Sequence, residues 1–262
     1  MAGQASIGRT VDRVELQAKV KDMYRAVAQN PHGRFHFELG RGVAQRLGYP
    51  ASFLDRLPEE AIDSFAGVGY HLGLADLREG ERVLDLGSGA GMDSFLAAFL
   101  VAPSGSVVGI DMTEAQLEKA EALRARAGAQ NVSFWKGNIE ALPFGDAQFD
   151  AVISNGVINL SPEKERIFQE SSRVLKPGGR LAISDIVSEQ ELPEGVTCDA
   201  TLWAACIGGA MQWNRYTTAI EQAGFRLVSV RENQQYEFLS SSAREAVATY
   251  GVKSVSLVAV KK

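Results

Sequence analysis

Between residues 82 and 187 short apolar runs alternate with amphipathic ones, and this rhythm constrains the fold more than any other feature. "RVLDLG" (82–87) reads as a nearly continuous apolar strand, and "MDSFLAAFLVA" (92–102) as a helix. "GSVVGIDM" (105–112) reads as a second strand. "TEAQLEKAEALRARAG" (113–128) reads as an amphipathic helix, with Thr113 as its cap and Leu117, Ala120 and Leu123 on one face. "NVSFWKGN" (131–138) and "FDAVISN" (149–155) read as strands, with the loop "EALPFGDAQ" between them. "SPEKERIFQESSRVL" (161–175) reads as a helix capped by its serine with proline in the first turn. "KPGG" reads as a tight turn before the strand "RLAISDIV" (180–187). Strands and helices in alternation, joined by short connections, predict a doubly wound α/β sheet with parallel strands.

The flanks differ. Residues 11–28 predict a helix, because Val20, Met23, Tyr24 and Val27 recur at helical spacing. "NPHGRFHFELGRG" predicts an ordered loop, and 50–72 a second helical region. Beyond 187, residues 199–210 and 215–223 predict helices, and "GFRLVSVREN" and "VKSVSLVAVKK" predict closing strands. Three segments are therefore expected: a helical cap over 1–75, a ligand-binding core over 76–187, and cap helices with closing strands over 188–262.

Charge and composition narrow the partners. The net charge is −5 and the basic residues are scattered, which disfavours a nucleic-acid partner. The longest apolar run, 95–103, is too short to span a bilayer. No charged-then-apolar-then-small layout opens the chain, so a cytoplasmic location with reduced thiols is expected. The two cysteines make no disulfide framework.

The first strand runs into Gly87-Ser88-Gly89-Ala90-Gly91, and a helix starts at once. Glycines let the backbone turn sharply and approach a ligand, and the helix N-terminus offers unpaired amides. A dinucleotide fingerprint would need glycine where Met92 stands, so G-x-G-x-G fits and G-x-G-x-x-G does not. Asp111 closes the second strand and is placed to accept both hydroxyls of a ribose. Met112 is expected beside a base plane, Asn138, Ile139 and Glu140 around an adenine, and Asn155 beside the crevice between strands one and four. Tyr24 belongs either to a helix core or to a lid contact. Asp93, in the first turn of a helix, complements its dipole. Glu163 and Lys164 read as a solvated helix face. His32, His36 and His71 lack the spacing of a metal site and read as polar loop residues, His71 also as a base facing the acceptor.

Together "VLDLGSGAG", "GIDM", "GNIEALPF", "FDAVISN" and "LKPGGRLAISD" resemble the class I S-adenosylmethionine-dependent methyltransferases. The resemblance implies a Rossmann-like seven-stranded sheet with S-adenosylmethionine over the carboxyl ends of strands one to four. It implies donor contacts from Gly87, Ser88, Gly89, Gly91, Asp111, Met112, Asn138, Ile139, Asn155 and Tyr24. "DLGSGAGMD", "GIDMT", "SNGVINLSPEK" and "LWAACIGGAMQW" are similar to the arsenite methyltransferase family. This implies a trivalent arsenical held on thiolates, with Cys206 at the family's last active-site cysteine and Cys198 as a second thiol. The chain departs from the family at Gly156, where a cysteine is common, and in 66–80, which contains no cysteine. With two cysteines in all, a third ligand would have to come from a small thiol bound with the substrate.

On one continuous helix, eight residues rise about 12 Å, so Cys198 and Cys206 converge only if the chain breaks near 197–199. The plain alternative is that both pack as small hydrophobes. Trp203 and Trp213, flanking Cys206, are candidates for an acceptor wall. Three functions follow: methylation of a small trivalent arsenical, methylation of carbon or oxygen on a small apolar metabolite such as a quinone precursor, or donor binding without catalysis.

Overall fold

The computed structural model describes residues 11–199, 202–203 and 207–262. Among them α1 (Arg13–Gln29), α2 (Arg41–Arg46), α3 (Ala51–Leu54), α4 (Glu59–Asp63) and α5 (Leu72–Ala75) precede the sheet. Then come β1 (Arg82–Leu86), α6 (Met92–Val101), β2 (Ser106–Asp111), α7 (Glu114–Ala127), β3 (Val132–Lys136) and β4 (Phe149–Asn155). They are followed by α8 (Lys164–Val174), β5 (Leu175–Ser188), α9 (Glu194–Thr197) and the two-residue β6 (Met211–Gln212). α10 (Trp213–Gln222), β7 (Phe225–Glu232), α11 (Ser241–Tyr250) and β8 (Lys253–Lys261) close the chain.

The sheet runs in the order β3-β2-β1-β4-β5-β8-β7, with β6 beside β5. The predicted seven strands form the continuous path, and β6 is an eighth that the sequence pattern does not mark. β1 to β5 pair in parallel, whereas β8 lies antiparallel to both β5 and β7, so the sheet is mixed at one side. β1 is buried along four of its five residues, because helices cover both faces, which is why it reads as an unbroken apolar run. Burying Leu84 or Leu86 completely stabilises the fold by about 1.5–3 kcal/mol each. Strand order reverses between β1 and β4, and this switch point opens a crevice at the strands' carboxyl ends.

Several local expectations change. The region 50–72 is not one helix: Pro50 and Pro58 occupy N-cap positions and start separate short helices. α2 begins at the end of the expected loop. α11 escapes periodicity because its buried face is only Ala243 and Ala246. β5 already starts at Leu175; the KPGG turn loops out of it as a register shift against β4. Thr113 occupies the N-cap of α7 without a side-chain cap bond, because its hydroxyl is drawn to Asp111. α8 starts after Ser161 rather than on it; the Ser161 hydroxyl accepts from the Glu163 amide and donates to Glu140.

Lys164 departs furthest from expectation. It is 2% exposed, donates to the Asn159 and Ser161 carbonyls, and lies 4.8 Å from the Trp203 ring centroid. Burial, opposed by Asp185 nearby, lowers its pKa to about 8. The α8 periodicity was insufficient to show this, because Trp203 arrives from a segment far along the chain.

Candidate active site

A cavity of about 500 Å³ lies in the crevice, within the ordinary range of small-molecule sites. Its floor is the loop after β1. The amides of Gly87 and Ser88 donate to the Ile110 carbonyl, and the Gly89 amide to Asp111 Oδ2 at 3.0 Å, so the loop is hooked onto the end of β2. The three glycines answer to different demands. A Cβ on Gly87 would meet Val157 at 2.4 Å, and one on Gly91 would meet the Phe134 ring at 2.6 Å. Gly89 has φ +52° and nothing closer than 3.9 Å, so it leaves the cavity floor open. Gly91 caps α6 and does not line the cavity, whereas Gly87, Ser88 and Gly89 do.

Asp111 is half-buried on the cavity wall. Burial raises its pKa, opposed by hydrogen bonds from the Thr113 and Gly89 amides. Oδ1 accepts from Thr113 at 2.7 Å and Oδ2 from Gly89 at 3.0 Å. The Thr113 hydroxyl is drawn to the same carboxylate, whose cavity-facing position suits an acceptor for a vicinal diol. Met112, Asn138, Ile139 and Glu140 line the same end, apolar faces beside polar edges.

The other end contains groups that sequence reasoning missed. Asp85, 3% exposed, lines the cavity and accepts from Ser94 Oγ at 2.6 Å. Burial, and then the neighbouring Asp93, pushes its pKa up to about 8. The signal was an acid inside an otherwise apolar strand. Asp93 accepts from the Tyr49 hydroxyl at 2.6 Å and from Asn155 Nδ2 at 3.0 Å. Asn155 touches the cavity, but its amide is committed to the protein: Oδ1 accepts from the Val68 amide, and Nδ2 also reaches the Gly69 carbonyl. It thereby holds a strap over 65–69, of which Phe65, Ala66 and Gly67 line the cavity.

α1 covers the opening with Leu16, Gln17, Val20 and Tyr24, giving Tyr24 the lid position. His71 is fully buried, off the cavity wall, with no hydrogen-bond partner for either ring nitrogen. Burial lowers its pKa, and it sits in the turn at the N-cap of α5, buried and not facing the cleft. Cys198 is half-buried at the end of α9 and does not line the cavity; Cys206 lies outside the described residues. Trp203 and Trp213 do not line it either. Among the described residues no cluster of His, Cys, Asp or Glu could hold a metal ion, and no helix is long and apolar enough to cross a membrane.

The Ser88 hydroxyl and Gln116 Oε1 are buried at the cavity without partners. Together with the open glycine floor and the cavity-facing carboxylate of Asp111, they fit a nucleoside with a sulfonium amino-acid arm, S-adenosylmethionine. Fold and site thus define a Rossmann-like methyltransferase domain, and residues 77–224 match the family described as "Methyltransferase domain". The chain is 42% identical over 198 residues to the arsenite methyltransferase of Halobacterium salinarum, covering 75% of this chain and 50% of that protein. It is 37% identical over 215 residues to the human arsenite methyltransferase, covering 75% and 56%. The crystal structure of an arsenic(III) S-adenosylmethionine methyltransferase from Chlamydomonas reinhardtii matches with a TM-score of 0.64 and 33% identity, covering 85% of this chain and 74% of that one. The chain belongs to the arsenite methyltransferase family of S-adenosylmethionine-dependent methyltransferases. It spans about half the length of the curated relatives it matches.

Proposed function

We propose that this chain transfers the methyl group of S-adenosylmethionine to a small trivalent arsenical. The observation that carries the reading is the Gly89–Asp111 cradle beside the cavity, in a chain similar to proteins named for arsenic. When bound, S-adenosylmethionine supplies an electrophilic methyl group that a lone pair takes in line. Asp111 accepts the ribose hydroxyls, and Met112 and Ile139 enclose the base, with Asn138 at its edge. Asp85 receives the ammonium of the amino-acid arm. α1 and the strap exclude water, and holding both reactants in line removes much of the entropic cost.

The acceptor is assigned to Cys206 with Cys198. α9 stops at Cys198, Asp199 starts the next turn, and Trp203 Nε1 donates to the Thr197 carbonyl at 2.7 Å. The break meets the condition that the chain not run as one helix through 197–199. A small thiol completes the arsenic ligands. An arsenical has no proton on its attacking atom, so no general base is required.

A second reading, methylation of carbon or oxygen on an apolar metabolite, is favoured by one corner. A Cβ on Gly156 would lie 3.2 Å from Val68 Cγ1, so hydrocarbon fills the place beside Asn155 where the family commonly has sulfur. A turnover assay with arsenite and methylarsenite, in the presence of glutathione, separates the two. Methylated arsenic and S-adenosylhomocysteine are expected, both lost in Cys206→Ser. Undiminished activity in that variant, or turnover only of quinol-type acceptors, overturns the arsenical reading.

A further inference from the structure

Lys164 opens α8 with its ammonium turned into the interior, and it takes no part in the cavity wall. It donates to the Ser161 carbonyl at 2.7 Å and to the Asn159 carbonyl at 3.3 Å, gathering the turn that puts Leu160 and Ser161 on the cavity. Its third neighbour, the Trp203 ring, comes from far along the chain. Trp203 is in turn the hub of its own segment. Its Nε1 donates to the Thr197 carbonyl at 2.7 Å and its amide to the Asp199 carbonyl at 3.0 Å. Two glycines close around the ring: a Cβ on Gly208 would strike the indole, and one on Gly209 would strike both the indole and the Asn159 carbonyl oxygen. Gly209 is thus pressed between the ring that covers the ammonium and a carbonyl that the same ammonium holds. A cation over an indole face is attracted by the ring's quadrupole, most strongly where water is excluded.

We infer that Lys164 is a positioning residue for the methyl acceptor: its ammonium seats Trp203, and with it the segment that carries Cys198 and Cys206, against the 159–161 edge of the donor cavity. This rests on the arsenical reading above. Cys198 directly follows Thr197, whose carbonyl the indole holds, and Trp203 and Ile207 bracket Cys206 in the chain. Trp203, Ile207 and Ala210 share one apolar cluster with Leu160, which lines the cavity. The charged groups facing the ammonium are Asp185 of β5, which accepts from the Tyr216 hydroxyl of α10, and Glu165 of α8 itself. Burial outweighs both and brings the Lys164 pKa down to about 8, whereas Asp185 is pushed up to about 6 and Tyr216 well above 10. Between about pH 7 and 9 neither of these partners changes charge, and Lys164 does.

The test measures S-adenosylhomocysteine affinity by calorimetry and methylarsenite turnover with glutathione, on the wild-type chain, Lys164→Met, Trp203→Leu and the double variant. Lys164→Met keeps the apolar stem and drops the charge. It should lower kcat/KM for methylarsenite by about tenfold, the range of a desolvated cation–ring contact, and leave donor affinity within about twofold. Equal losses in donor affinity and in turnover would mean that Lys164 only supports the 159–161 turn, and would overturn the inference. The double variant should be no worse than the poorer single variant, because both remove one contact; additive losses overturn the seat. The wild-type chain gives a reading independent of these variants' folding, through the indole N–H resonance of Trp203, assigned by its proximity to Gly208. It should shift with a midpoint near pH 8, and still do so in Cys198→Ser and Cys206→Ser. A flat profile, or a shift lost with either cysteine, overturns the inference. Absence of any wild-type turnover with arsenicals would defeat the arsenical reading instead, told apart because the Trp203 resonance would still titrate.

Discussion

Asp85 carries an uncommon demand for one residue: a carboxyl group kept in a nearly water-free place facing a ligand. Its pKa is about 8 in the folded chain, against an ordinary value of 3.8. Between those values the folded chain holds a proton that the unfolded chain releases. The associated stability is complete below about pH 4 and is lost as pH rises towards 8. Asp85→Asn keeps an acceptor for Ser94 and removes this dependence. Without ligand, the variant should match the wild type near pH 4 and exceed it at pH 9 by on the order of 1 kcal/mol or more, measured by urea unfolding. An ammonium beside Asp85 would favour its ionised form. S-adenosylhomocysteine uptake at pH 7 should therefore release a proton, visible as a buffer-dependent binding enthalpy. Burial raises the Asp111 pKa too, but the Gly89 and Thr113 amides oppose the shift. Asp111→Asn should lower affinity for S-adenosylhomocysteine by about 10- to 100-fold in calorimetry, as expected for charge-assisted bonds.

Among the elements, the strap over 65–69 links the N-terminal helices to the sheet. It threads across the ends of β4, β5 and β8. The Val68 carbonyl accepts from Ser254 Oγ at 2.6 Å and the Gly69 carbonyl from Asn155 Nδ2 at 3.0 Å. The path is so close that a Cβ on Gly69 would sit 2.2 Å from Asn233 Nδ2 and 2.6 Å from both Ser184 Oγ and Ser256 Oγ. Gly69→Ala should destabilise the chain by about 1–3 kcal/mol in denaturant unfolding, the cost of overpacking a filled interior. It should also weaken donor binding, because Asn155 and Asp93 would lose their alignment beside the cavity. A mild effect on both would mean that the strap is loosely seated.

For the whole molecule, the described part of the N-terminal segment shares its core with the sheet. Val43, Leu54, Ile62, Phe65 and Leu72 join one core with Val83, Leu96, Val107 and Ile153. The opposite face of the sheet is covered by a second core, in which Phe168 of α8 and Tyr216 of α10 pack against Leu84, Val152 and Ile183. A chain starting at residue 76 would lose the N-terminal helices that pack on α6 and the sheet, and would expose that part of the first core to water. It should show no cooperative unfolding transition by near-ultraviolet circular dichroism. A sharp transition would mean that the sheet and its remaining helices stand alone.

What the sequence by itself determined is the α/β rhythm from 82 to 187, the glycine loop and Asp111. Each is a local property, written in strand and helix periodicity and in residues about twenty apart. Residues 131–138, 149–155 and 215–223 fall on β3, β4 and α10 within a few positions for the same reason. Only the tertiary structure decided the rest. Tyr49 meets Asp93 across 44 positions, and Val68 meets Asn155 across 87. Lys164 is buried because Trp203 lies over it. No pattern within a turn of helix or a stretch of strand carries such pairings, since they arise when the covering layers close and water leaves the groups between them.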